Sequence, residues 1–277
     1  MDRTEILHQS VQLQLNLQRS LKNEIHPSTV PVPWFGNLNS EETRIVTVAA
    51  NPSRREFLKG TTDYIQKTIN AGGLPELLPK SRLELLNEHQ SLEDVLTSRD
   101  LSDRLIGGYN NYFSSTMNPY TQWFGNKNTP YGSKMEAFVN GFNASYYDES
   151  EFEHRAIHID MIPVATYSDF SKIAASLPDE TFKSAKVLIE SLIKTINPSK
   201  VIIVGRKNIE YFSKYFWDLG SPNISWNGHK SSPHAHLTRM MDIPVIATSL
   251  YVPNPYGYGS EDLFNFAEFL SSIMNNA

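Results

Sequence analysis

The chain of 277 residues contains no cysteine. Thiol nucleophiles, disulfides, iron–sulfur clusters and thiolate zinc sites are therefore excluded together. Such an absence is compatible with a reducing cytoplasm. No apolar run approaches the roughly 20 residues that cross a bilayer, and the opening Met1-Asp2-Arg3-Thr4-Glu5 has no signal-peptide pattern. We expect a soluble, cytoplasmic protein without a membrane partner. A basic excess is missing as well: 25 Lys and Arg against 30 Asp and Glu give a net charge of −5. That balance argues against binding nucleic acid through overall charge, but it leaves room for a local basic face. There is no Gly-rich phosphate loop, no His-Glu-x-x-His box, no internal repeat and no low-complexity tract.

What is present suffices for an ordinary core, with 40% hydrophobic and 20% charged residues. The most informative stretch is Arg44-Ile45-Val46-Thr47-Val48-Ala49-Ala50-Asn51-Pro52-Ser53, a β-branched run that stops at Asn-Pro-Ser. Pro52 cannot continue a ladder and pushes Asn51 toward extended backbone. In open α/β sheets ligands bind beyond the carboxyl ends of the strands. A short amide held there can orient a ligand or a water, while an ordinary strand-ending turn is the alternative. Arg54, Arg55 and Lys59 follow the corner, so a local anion site competes with a solvated charge run.

Elsewhere, residues 4–24 carry apolar side chains at helical spacing, which makes residues 1–29 an N-terminal helical extension. Residues 60–105 read as an insertion of loops and short helices. An aromatic-rich loop follows through Tyr112, Phe113, Tyr120, Trp123 and Phe124. Helices are expected over 134–142, 180–196 and from Ser260 to Ile273. Strands are expected over Arg155–Pro163, Val201–Gly205 and Pro244–Ser249. Strands alternating with helices predict an α/β fold: one domain over 30–277, its sheet mostly parallel and covered on both faces.

Four strand-end segments, in this order, resemble the uracil-DNA glycosylase superfamily, in particular its mismatch-specific and single-strand-selective branches. Ala49-Ala50-Asn51-Pro52-Ser53 is similar to the water-positioning motif. His158-Ile159-Asp160-Met161-Ile162-Pro163 is similar to the strand that delivers a base-reading Asn, and Asn197 to Gly205 to the strand that ends in Gly. Ser249-Leu250-Tyr251-Val252-Pro253-Asn254-Pro255 stands in place of the His-Pro-Ser-Pro loop. The match covers roughly residues 30–273 and leaves the extension and the insertion unmatched.

The resemblance implies a monofunctional DNA glycosylase, monomeric, needing no metal or redox cofactor, and acting on single- or double-stranded DNA. Asn51 would hold the attacking water, and Ser53, Arg54 and Arg55 would bind phosphates. Ala50 and Phe57 would contact the flipped base, with Phe113, Tyr120, Trp123 and Phe124 as rival stacking residues. Tyr251, Asn254 and Tyr256 would enter a groove. Two departures change the target. Asp160 stands where relatives read uracil with Asn; it lacks the donor amide and accepts instead from an exocyclic N4–H. A protonated Asp would also donate to N3 of cytosine, so the expected base is a modified cytosine of invading phage DNA. Ser249 replaces the histidine that stabilises the departing base, with His158, His229, His234 and His236 as candidates to help. The alternatives are a uracil-excising repair enzyme and an inactive binding module of the same fold.

Overall fold

The computed structural model describes residues 1–277 except 1, 22, 41, 79–80, 115–120, 127–133, 149, 227–231, 256 and 276–277. The first half carries α1 (Arg3–Ser20), β1 (Arg44–Ala49), α2 (Thr62–Asn70), α3 (Leu92–Thr97), α4 (Arg99–Asn110), α5 (Thr121–Phe124) and α6 (Met135–Asn140). The second half carries β2 (Ala144–Ser145), β3 (His154–Asp160), α7 (Phe170–Ile173), α8 (Asp179–Ile196), β4 (Lys200–Val204) and α9 (Arg206–Tyr215). It closes with β5 (Ile224–Ser225), β6 (His234–Met240), β7 (Ile243–Thr248) and α10 (Ser260–Asn275). No helix of the described residues is long and apolar enough to cross a membrane.

The fold is α/β, with a seven-stranded sheet in the order β2-β3-β1-β4-β7-β6-β5. β1 pairs parallel with β4, and β4 parallel with β7. In β4 the consecutive residues Val201, Ile202, Ile203 and Val204 are all fully buried, so both faces of this strand are covered, as its unbroken β-branched run predicts. β6 escapes sequence reading because it alternates polar and apolar residues and is only partly buried. It joins β7 as an antiparallel hairpin through Met241 and Asp242, both at positive φ (52° and 66°). Two left-handed residues in succession give the turn a twist that matches the strands.

The chain divides into two compact units. The first comprises Met1–Phe35, Ala50–Tyr112 and Ile159–Thr195; the second comprises Gly36–Ala49, Phe113–His158 and Ile196–Ala277 and holds nearly all of the sheet. This differs from the expected single domain with a separate extension. In the first unit α1 buries Ile6, Leu7, Val11, Leu13 and Leu17 and packs on α3 and α4. Extension and insertion thus share a core, which an apolar helix face requires. Polar ties reinforce it: Gln14 Nε2 donates to Thr29 O (2.8 Å), Trp34 Nε1 to Asn110 Oδ1 (3.1 Å) and Tyr109 OH to Pro31 O (2.6 Å). On α8 the expected apolar face is buried except at Val187, which is 55% exposed.

Candidate active site

β1 ends at Ala49 and β3 at Asp160, and the chains leaving them are joined: Ile162 N–H donates to Ala50 O at 3.0 Å. Asn51 therefore leaves its strand beside the segment that follows Asp160. Its Nδ2 donates to Val164 O (3.2 Å) and to Thr166 Oγ1 (3.1 Å). A carbonyl only accepts, so the amide atom facing Val164 must be the nitrogen. Thr166 spends its own hydroxyl hydrogen on Ser168 O (2.8 Å) and so must accept from Asn51. Both amide hydrogens are used, and Oδ1 is left as the acceptor. That is the arrangement needed to hold a water by one of its hydrogens.

The loop providing these partners is braced by the N-terminal segment. Tyr167 N donates to Glu24 O (2.8 Å), while Ser168 N and Oγ donate to the Glu24 carboxylate at 3.0 and 3.1 Å. Arg54 closes the other side. Its Nη1 donates to Tyr167 O and Asp169 Oδ1, and its Nη2 bonds Thr62 Oγ1. The guanidinium expected to bind a phosphate is thus occupied in holding this loop, and the phosphate role is left to half-buried Arg55. Ser53 caps the short 3-10 turn Arg54–Glu56, its hydroxyl accepting from Arg55 N–H. Phe57 needs a larger correction: it is wholly buried, so it presents no face on which a base can stack. An apolar ring next to a capped turn gains more from the core than from solvent. Phe57 lines a small enclosed space with His26, Thr29, Arg54 and Thr166.

Asp160 is 2% exposed. Sequence reading missed its neighbour, Glu56, which is 1% exposed and accepts from Tyr112 OH at 2.8 Å. Burial, opposed by the Tyr112 bond and the Arg82 charge and reinforced by the charge of Asp160, pushes the Glu56 carboxyl up to about 7. The signal was faint: a Glu beside Arg54-Arg55 reads as one more surface charge.

In the second unit, His158 is buried between Trp123 (ring centroids 4.5 Å apart) and Phe124 (5.2 Å). Its Nδ1 meets Thr47 Oγ1 at 3.0 Å, and that hydroxyl meets Tyr146 OH at 2.7 Å. Phe113 and Phe124 are core residues, whereas Trp123 is only half-buried. Ser249, Tyr251 and Asn254 come together around one cavity of about 360 Å³, with Arg206, His234 and Pro255. Ser249 Oγ accepts from His234 N (2.9 Å), and His234 Nδ1 contacts Ser225 Oγ (3.0 Å). Arg206 is exposed at the first turn of α9, behind Gly205 at φ 93°. A side chain at position 205 would press on the Tyr251 ring at 3.0 Å, so glycine there gives the loop its close approach. Tyr120, His229 and Tyr256 lie outside the described residues. Among the described residues no group of three or more His, Asp or Glu side chains converges as a metal site would require.

No family model matches the chain, and no curated protein does. Any assignment of function therefore rests on the site itself.

Proposed function

We propose that this protein is a DNA glycosylase that hydrolyses the N-glycosidic bond of a flipped-out pyrimidine and leaves an abasic site. The preferred base is read as a modified cytosine of foreign DNA. The observation that carries the reading is the committed amide of Asn51, with both hydrogens held by Val164 and Thr166 and Oδ1 left to accept from water. Departure of a base from deoxyribose builds positive charge on the sugar, so a weak nucleophile suffices if its position is fixed. An amide oxygen fixes it without having to remove a proton. Asp160, buried on the neighbouring strand end, supplies an acceptor for an exocyclic amine. The exposed Arg206 beside Ser249 and Tyr251 suits a phosphodiester bound near that cavity.

The test is mass spectrometry of bases released from single- and double-stranded DNAs carrying uracil, cytosine, and cytosines substituted at C5. Release of a substituted cytosine is expected, disappearing in Asn51→Ala and Asp160→Ala with a loss of at least about a hundredfold. Faster release of uracil than of any cytosine derivative would reverse the base assignment. DNA binding without release of any base would identify a binding module instead.

A further inference from the structure

Glu56 is a buried carboxyl for which water positioning and base reading, as described, give no role. It lies in a cluster drawn from three parts of the first unit: Tyr112 at the end of α4, Arg82 ahead of α3, and Asp160 at the end of β3. Tyr112 gives it one hydrogen bond (2.8 Å), Arg82 one favourable charge and Asp160 one unfavourable charge. The Arg82 guanidinium is also engaged elsewhere, donating through Nη1 to Arg55 O at 2.8 Å. Two carboxyls buried together cannot both be ionised cheaply, so a pair of this kind holds one proton between its members.

Resting on the glycosylase reading, we propose that Glu56 is a positioning residue that keeps a proton for Asp160, which Asp160 delivers to N3 of a cytosine-type base as the glycosidic bond breaks. Cytosine shows a donor at N4 and an acceptor at N3. A carboxyl carrying one proton accepts from the first and donates to the second. Uracil carries a hydrogen on N3, so the same proton faces another donor and the base is rejected. When the bond from N1 to C1′ breaks, its electron pair stays on the base. The proton from the pair neutralises the base at N3. Water oxygen bonds C1′, and the hydrogen that water sheds returns to the carboxyl pair. One water is consumed, one neutral base is released, and the pair is restored. This supplies the help to the leaving group that a histidine would give and that the hydroxyl of Ser249 cannot match. Burial suits the task, because a carboxyl near 7 is protonated at working pH yet still acidic enough to give its proton away.

The experiment measures single-turnover base release between pH 5 and 9 from oligonucleotides carrying 5-hydroxymethylcytosine, with and without an attached sugar. Wild-type release should be full at low pH and fall as pH rises through about 7, where Glu56 loses its proton. Glu56→Gln keeps the shape and the acceptor for Tyr112 but holds no exchangeable acid. Its release should be about a hundredfold slower at pH 6 and flat across that range. A Glu56→Gln profile that keeps the wild-type fall overturns the proposal. If Glu56→Gln gives no measurable release, Tyr112→Phe decides. Removing a bond that favours the charged form should move the wild-type midpoint to higher pH, and an unmoved midpoint overturns the role. Release of no base by the wild type overturns this role together with the reading beneath it, whereas release with an unchanged profile overturns this role alone.

Discussion

Asn51 and Asp160 divide the work in a way that single substitutions can separate. Asn51 sets the nucleophile, and its orientation depends on one hydroxyl. Thr166→Val keeps the shape and removes the acceptor for the amide, so the water loses its fixed place. We expect base release to slow about tenfold, with DNA affinity unchanged and stability lower by about 1 kcal/mol. Single-turnover rates and a binding titration read the two effects separately. Asp160 sets the base. Asp160→Asn restores a donor amide where the carboxylate stood, so the ratio of uracil to cytosine-type release should rise by at least about tenfold, measured by competition in one reaction. The residue types at both positions were legible in the sequence, because Asn-Pro after a β-branched run and Asp before apolar-Pro are local patterns. Glu56 was not legible. Its environment comes from Tyr112, Arg82 and Asp160, which lie far from it in the chain, and no local pattern announces a contact of that range. Phe57 was misjudged for the same reason, since burial is a property of what arrives from elsewhere.

At the scale of elements, the loop from Val164 to Asp169 is the piece on which the site turns. It takes Asn51 on one side and Glu24 on the other, and Arg54 pins its far end. Glu24→Ala should cost about 1–3 kcal/mol, because it leaves Ser168 N–H and hydroxyl without their shared acceptor. It should also slow base release, although Glu24 touches no substrate; denaturant melts and rates measured side by side test both. The strands β1, β3, β4 and β7 were legible, since buried parallel strands advertise themselves as continuous apolar runs. β6 was not, because a half-exposed antiparallel strand of His, Leu, Thr and Arg has the composition of a loop. The expected helix over 4–24 ends at Ser20.

Taken whole, the molecule carries a pH signature in its stability. Glu56 is raised from 4.5 to about 7 on folding, so the folded state binds more protons than the unfolded chain across that window. The stability associated with Glu56 is fully present below about pH 4.5 and is lost as pH rises through about 7. A shift of that size corresponds to an order of about 3 kcal/mol. Glu56→Gln should therefore melt later than the wild type at pH 8, and the advantage should shrink to nothing toward pH 4.5. Urea titrations at a series of pH values measure the difference; a gap that does not change with pH would contradict the buried, protonated carboxyl. Glu136, also raised by burial, is common to both proteins and cancels. The brace between Glu24 and Ser168 has one more consequence. Glu24 lies before the part of the chain that resembles a glycosylase, yet it steadies the loop that aims Asn51. A boundary drawn by resemblance would sever a chemically silent residue from the reaction it serves. Descendants of this chain are then free to vary either part only in step with the other, and their ancestry should be visible as paired change between the first 30 residues and the loop after β3.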